Sequence, residues 1–131
     1  MNLLAAPLTQ WLAAQVGLDP GNVFIGPYVP DEPALALIVT LNGGLEPRAE
    51  GAIDVPGFQV RMRGEPEDYA SAEALARAVD VALMSASMVD IGDTTVLAFS
   101  RTGGPPDPDP PDNGDRTTFV CNYLSQVESA F

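Results

Sequence analysis

Four aspartates lie close together in the segment 102–115, which reads TGGPPDPDPPDNGD. The residues of this segment that could build a calcium loop are Asp107, Asp109, Asp112, Asn113, Gly114 and Asp115. Calcium takes roughly six to eight oxygen ligands on a flexible backbone. The prolines stiffen this loop, and the closing glutamate of an EF-hand is missing. We therefore expect no metal here and interpret the segment as a solvated hairpin tip or a protein contact loop; a calcium-dependent binding module that uses residues 107–115 is the alternative.

Side chains that usually catalyse reactions are scarce in this chain. It has no histidine and no lysine, so the usual general base and the lysine of Schiff-base chemistry are both missing. Its glycine pairs are not followed by the GK[ST] pattern of a phosphate loop. We expect Cys121, the single cysteine, to be a small buried hydrophobic residue. We expect no catalytic residue, no cofactor and no enzymatic activity; a carboxylate hydrolase is the weakest alternative, because no pair of acids is singled out.

Arginines and aspartates are the candidate contact residues. Residues 58–63 alternate as in a half-buried strand, with Phe58, Val60 and Met62 inward and Gln59, Arg61 and Arg63 outward. The two arginines of this strand could meet carboxylates of this chain or of a neighbour, or they could be solvated, since exposed ion pairs contribute little. The interface candidates are Arg61, Arg63, Arg48, Arg116, Asp109, Asp112 and Asp115.

Composition limits the partners. The 131 residues are 46% hydrophobic and carry a net charge of −12, which suits one folded domain. A charge of this sign repels nucleic acid and disfavours an anionic membrane surface. The apolar N-terminus lacks the basic segment of a signal peptide, and no apolar run is long enough for a membrane span.

Two helices are predicted from apolar spacing. Residues 3–16 carry a stripe that includes Leu8 and Trp11, and Gly17 suits the position just past the helix end. We expect Trp11 to be a core or docking aromatic. Residues 69–84 form the second helix, which Asp68 or Ser71 could cap.

The remaining elements are strands and two long loops. Residues 23–28 read as an edge strand at most, 34–41 as a strand covered on both faces, and 94–101 and 116–127 as two further strands. Strict alternation in residues 94–101 places Val96 on one face and Phe99 on the other, and residues 90–93 are predicted as a turn. The order predicts a single α+β domain, 1–131, with a mainly antiparallel four- to five-stranded sheet, two helices packed on it, and projecting loops at 42–57 and 102–115.

Several strings, taken in this order, resemble the tail terminator (minor capsid) proteins of long-tailed bacteriophages. They span nearly the whole chain: the helix that contains Trp11-Leu12-Ala13, the strand 57–63, the alanine-rich helix 68–83, the turn 101–105 and the strand 115–123. The proline- and aspartate-rich insertion at 105–113 departs from the shorter, more apolar turn of the family.

The resemblance implies a structural virion protein. Such a protein forms a hexameric ring at the head-proximal end of the tail tube, ends tube polymerisation, and contacts the tail tube protein and the head–tail connector or head-completion protein. DNA passes through the lumen without specific binding. The ring would be assembled in the host cytoplasm and located at the neck end of the virion tail. A neck or head-completion protein of the same particle is the alternative within this class.

Overall fold

The computed structural model describes residues 5–43 and 53–128. Within these residues there are two α-helices, α1 (Ala5–Val16) and α2 (Tyr69–Ser85). The strands are β1 (Val23–Ile25), β2 (Ala36–Leu41), β3 (Ile53–Asp54), β4 (Gly57–Arg63), β5 (Ser87–Ile91), β6 (Thr94–Arg101), β7 (Asp107–Pro108) and β8 (Thr118–Glu128). The fold is α+β, as the sequence predicted.

One sheet holds all eight strands of the described part. Its main order is β1-β2-β4-β8-β6-β5, and the two-residue strands β3 and β7 each pair with β8. Every pairing is antiparallel except that of β1, which runs parallel to β2 at one edge. The prediction of four to five strands was too low, because β3 and β7 are too short to show an apolar alternation and β5 was not recognised.

The helices cover one face of the sheet, the inner face. Phe58, Val60 and Met62 of β4 are fully buried there, as their alternation predicted. They share the core with Leu8 and Leu12 of α1, and the buried residues of α2 are Ala72, Leu75, Ala76, Val79 and Leu83. Because α1 contacts both β1 and β5, which are the two edges of the sheet, the sheet curls around this helix.

A bulge in β6 changes which side chains face the core. The register of β6 against β8 shifts between Val96 and Ala98. After the shift Phe99 joins Val96 in the core, where its ring stacks on Trp11 with centroids 5.8 Å apart. Strict alternation placed Val96 and Phe99 on opposite faces; that prediction was wrong because a bulge inserts one residue into the strand.

The hairpin of β5 and β6 replaces part of a predicted turn. Asp90 pairs with Thr95 and Ile91 with Thr94, so the chain turns only at Gly92 and Asp93. Ile91 is buried and Val89 is partly buried, which is a short alternation. The predicted turn at 90–93 was therefore too long by two residues.

Part of the segment 102–115 pairs with the sheet. Asp107 and Pro108 of β7 pair with Val120 and Phe119 of β8, and the Asp109 backbone N–H donates to Thr118 O at 2.8 Å. The prediction of a loop without regular structure was wrong at Asp107–Pro108, because β6 ends early enough to leave the start of β8 open for pairing; that the loop projects stays a prediction. In the other loop, 42–57, Ile53–Asp54 pair with β8, and residues 44–52 lie outside the described residues.

The start of α2 packs tightly on the end of β4. Asp68 caps the helix, accepting the Ser71 backbone N–H at 3.1 Å, as predicted. Gly64 follows β4, and a Cβ there would lie 2.7 Å from Ala72 N and 2.8 Å from Ala72 Cβ. A residue larger than glycine would therefore push the helix away from the strand.

Candidate assembly surfaces

Arg63 lies beneath the segment 30–34 on the outer face of the sheet. Its Nε donates to Ala34 O at 2.8 Å, and its Nη2 donates to Pro30 O at 2.7 Å and Pro33 O at 2.9 Å. The residue is only 4% exposed. Burial lowers the pKa of its guanidinium from its ordinary value. The interpretation of Arg63 as a solvated or carboxylate-pairing residue was wrong: carbonyls of the nearby loop take its donors, so it holds that loop on the sheet.

Arg116 joins two loops at the same end of the molecule. Its Nη2 lies 2.9 Å from Asp112 Oδ2, its Nε donates to the same oxygen at 3.0 Å, and its Nη1 donates to Asp31 O at 2.6 Å. The side-chain hydrogen bond from Arg116 lowers the pKa of Asp112, and the backbone N–H of Arg116 and of Gly114 add to the effect. Arg116 and Asp112 thus stabilise the loop 102–115 from within one chain.

Half of the acidic residues are gathered at this end. Three segments meet there: 28–34, 64–68 and 105–115. The Glu67 backbone N–H donates to Asp115 O and Gly64 N–H donates to Thr117 O. Arg116 contacts both Asp112 and Asp31. Of the 18 acidic residues, nine lie on these segments: Asp31, Glu32, Glu65, Glu67, Asp68, Asp107, Asp109, Asp112 and Asp115. We call this region the acidic end.

Arg61 lies in an open groove on the outer face, beside the acidic end. The groove has a volume of about 510 Å³, and Val29, Ile38 and Asp109 are among the residues that line it. The Arg61 Nε donates to Gln59 Oε1 at 3.1 Å. Among the described residues no carboxylate lies within 4.0 Å of the Arg61 guanidinium. Arg61 and the exposed Asp109 are therefore free to contact another molecule.

A polar group inside the fold connects α2 to the sheet. The Tyr123 hydroxyl, on a side chain that is 1% exposed, donates to Asp80 Oδ1 at 2.9 Å. Arg101 Nε lies 3.3 Å from the same oxygen. Burial raises the pKa of Tyr123 and of the nearby thiol of Cys121. Both groups stay protonated near neutral pH, and Cys121 is the small buried residue that the sequence predicted.

Of the eight exposed large apolar side chains in the described residues, seven fall into two separate regions; the eighth, Tyr69, lies against Phe119. The first, the edge patch, lies at the β1 side of the sheet: Ile25 and Leu41 are on the core side, paired with Val39 and Phe58, and Tyr28 and Val29 are in the segment that follows β1. The second, the helix patch, covers the end of α2 and the start of β5 and consists of Val81, Met84 and Met88. Tyr28 is 70% exposed and Met88 is 63% exposed. Exposed apolar clusters on a small acidic domain are typical of protein contact surfaces.

The predicted interface residues thus divide into three groups. Arg63, Arg116 and Asp112 make contacts within the chain, and the backbone of Asp115 does the same. Arg61 and Asp109 lie open on the outer face. Arg48 lies outside the described residues.

Sequence reasoning missed the two apolar patches. In the sequence, Val81 and Met84 read as ordinary members of an alanine-rich helix, and Tyr28 as part of a proline-broken edge. A signal was available in α2, because the face of the helix away from its buried stripe carries few charges. Within residues 5–43 and 53–128, no three histidine, cysteine, aspartate or glutamate side chains are grouped closely enough to hold a metal ion.

A small α+β domain with a curled sheet, open edges and two separate apolar patches defines a subunit that binds other protein chains. Residues 11–128 match the family of bacteriophage tail terminator proteins. The chain belongs to this family, as the resemblance indicated. Proteins of this family are structural components of phage tails and not enzymes, and this chain is a structural protein of the virion tail.

Solved structures agree with the fold. A chain from the virion of a native gene transfer agent particle aligns with a TM-score of 0.62 and 20% sequence identity, over 90% of this chain and 84% of that chain. A second solved chain aligns with a TM-score of 0.52 and 17% identity, over 96% of this chain and 90% of that chain. No curated protein matches the chain in sequence. No described helix is long and apolar enough to cross a membrane.

Proposed function

We propose that six copies of this chain form a ring that caps the head-proximal end of the tail tube. The ring ends polymerisation of the tube protein and joins the tail to the head–tail connector. DNA passes through its lumen without being bound. The ring is assembled in the host cytoplasm.

The presence of two different apolar patches carries this proposal. In a ring each copy contacts its two neighbours through two different surfaces, whereas a two-fold dimer uses one surface twice. The edge patch and the helix patch lie on different elements, at β1 and at the junction of α2 and β5. A chain with two unlike contact surfaces is suited to closed head-to-tail assembly.

Charge supports the passage of DNA. The chain carries a net charge of −12, and its acidic end gathers nine carboxylates. A channel wall with this sign of charge repels the DNA phosphates. DNA would therefore pass through without non-specific electrostatic binding.

The outer-face groove is the proposed contact for a further virion protein. Arg61 offers a guanidinium without a carboxylate partner in the described part of the chain, and Asp109 lies on the same groove. A partner that places a carboxylate against Arg61 would form a charge-assisted hydrogen bond there. We propose this contact for the tail tube protein or for the connector.

Tube growth with the purified tail tube protein tests the function. Tubes are polymerised with and without this chain, and their lengths are measured by electron microscopy. We expect the chain to stop growth at one end when it is present at about one ring per tube. The matched control is Val81→Asp, which places a charge in the helix patch and is expected to fold but not to cap. Tubes that grow equally long with and without the native chain would contradict the proposal.

A further inference from the structure

The solvent-facing side of α2 is more apolar than a surface helix normally is. Ala70, Ala74, Ala78 and Val81 follow at helical spacing and are all exposed. They line a shallow groove of about 650 Å³ that reaches α1 at Gln15. The outward side of a helix in a monomeric domain usually carries charged and polar residues. This stripe extends the helix patch along α2.

Arg77 borders this stripe and has no acidic partner among the described residues. Arg101 and Arg116 both lie within 4.0 Å of a carboxylate, whereas no carboxylate of the described chain comes that close to Arg77. The nearest acidic residue on the same face of α2, Glu73, also lines the groove. Arg77 therefore offers, in the described part of the chain, a guanidinium without an ion pair, although Glu73 lies on the same groove.

The edge patch has the opposite charge at its border. Asp31 and Glu32 follow Tyr28 and Val29 closely in the chain, and both are exposed. The Asp31 side chain is 97% exposed, even though Arg116 contacts one of its oxygens at 3.4 Å. Arg63 holds this turn on the sheet from below through three carbonyls. The acidic turn is thus presented at a fixed position beside the exposed apolar side chains.

The short β1 strand that borders the edge patch has one unpaired side. Val23–Ile25 pairs on one side only, with β2, and contains no charge and no proline. Edge strands of monomeric proteins are usually blocked by such residues or covered, because their free backbone groups bind other chains. The unpaired side of β1 is therefore short, and it lies beside the exposed apolar side chains of the edge patch.

We infer that the edge patch of one copy docks on the helix patch of the next copy, with the acidic turn at 31–32 meeting Arg77. The two surfaces are both apolar, and Arg77 of the helix patch can pair with Asp31 or Glu32 of the edge patch, which favours the head-to-tail contact over a contact between two edge patches. Two edge patches placed together would bring the acidic turns face to face. This inference rests on the proposed ring and names the surfaces that form it.

Cysteine cross-linking tests the contact. Tyr28→Cys and Val81→Cys are combined in one chain, which is produced in virions and oxidised after particle assembly. We expect a ladder of disulfide-linked species that reaches six chains on a non-reducing gel. Each single variant should give no covalent dimer, whereas a mixture of the two single variants should give dimers. Cys121 is 4% exposed and does not compete.

The control combines Tyr28→Cys with Ser100→Cys, an exposed position that belongs to neither patch, and is expected to give no ladder. A six-copy ring in the particles together with no ladder from the Tyr28→Cys/Val81→Cys chain would overturn this inference and leave the proposed function intact. Dimers from either single variant would overturn it as well, since they would show a self-contact. Particles without any ring of this protein would overturn the inference and the proposed function together.

A charge swap tests the role of Arg77 separately. Arg77→Glu should weaken ring formation by about fivefold or more per contact, because an exposed ion pair is lost and a repulsion replaces it. Adding Glu32→Arg to the same chain should restore much of the loss. Equal ring formation by the native chain and Arg77→Glu, or no recovery in the double variant, would overturn the pairing with the acidic turn.

Discussion

The two faces of the sheet are stabilised by different means. On the inner face, Phe58 and Tyr123 stack at 5.6 Å inside a continuous apolar core that both helices cover. On the outer face, two arginines hold loops in place through carbonyl and carboxylate oxygens: Arg63 beneath 30–34, and Arg116 between 31 and 112. The first arrangement depends on burial of apolar area, and the second on a few directed polar contacts.

This difference separates the part that maintains the fold from the part that is presented to partners. The inner face is closed, whereas the outer face and the sheet edges carry the groove with Arg61, the acidic end and the edge patch. Changes on the inner face should therefore alter stability first. Changes at the exposed positions should alter assembly while the fold persists.

The largest expected effect is on the inner face. Phe58→Ala removes a fully buried ring that contacts both Phe99 and Tyr123. We expect the free energy of unfolding to fall by about 3–5 kcal/mol. Urea denaturation followed by circular dichroism measures this, with Tyr28→Ala, at a 70% exposed position, expected to stay within about 0.5 kcal/mol of the native chain. A loss below about 1 kcal/mol for Phe58→Ala would contradict the described core.

The second-largest effect on stability is expected at Arg63, which lies beneath residues 30–34. Arg63→Met removes three hydrogen bonds from a nearly buried guanidinium and leaves their carbonyls without donors. We expect a loss of about 2–3 kcal/mol in the free energy of unfolding. Arg61→Met, two residues away on the same face, serves as the control and should change it little. Equal losses in the free energy of unfolding for the two substitutions would contradict the structural role assigned to Arg63 and not to Arg61.

A smaller effect depends on pH. Arg116 lowers the pKa of Asp112, so the ionised carboxylate is favoured in the folded chain. Its contribution is fully present above the ordinary aspartate pKa and is lost as the pH falls through the lower pKa of the folded state. We expect the stability difference between the native chain and Asp112→Asn to be constant between about pH 5 and 7 and to shrink below about pH 4. Because the pair is exposed, the difference should not exceed about 1 kcal/mol.

Unfolding free energies measured across this pH range check the prediction. Asp109→Asn is the control, since Asp109 lies on the same loop and no arginine of residues 5–43 and 53–128 lies within 4.0 Å of its carboxylate. A difference between the native chain and Asp112→Asn that grows as the pH falls would contradict the assigned ion pair.

The smallest effect on stability is expected at Arg61. Arg61→Glu should leave the free energy of unfolding within about 0.5 kcal/mol of the native value, because the side chain bonds only Gln59 among the described residues. The same substitution should weaken binding to the tail partner that supplies a carboxylate. Co-sedimentation with tail tubes and with connectors measures this. Unchanged binding to both would contradict the proposal that the groove binds a further virion protein.

The inner face could be predicted from sequence, and most of the outer face could not. The period-2 pattern of β4 and the i, i+4 spacing of Leu75, Val79 and Leu83 are local signals that match the buried residues. The contacts of Arg63 with residues 29 to 33 positions away, and of Arg116 with Asp31 85 positions away, depend on how distant segments meet. Alternation also cannot locate the bulge in β6, since one inserted residue reverses the pattern.

The same limit applies to the candidate site. The outward position of Arg61 could be predicted, because it follows from the alternation of apolar and polar residues along one strand. The edge patch joins residues of β1, the following turn and β2, so that only the parallel pairing of these strands brings them to one edge. The absence of histidine and lysine, by contrast, is a property of composition and weakens most enzymatic interpretations directly from the sequence.

Electron microscopy of complete particles tests the central claim most directly. A reconstruction of the head–tail junction, with this chain marked by a tag on the protein, should show six copies in one ring at the head-proximal end of the tail tube. Density for the tag elsewhere in the particle, or a single copy without a ring at that junction, would contradict the account.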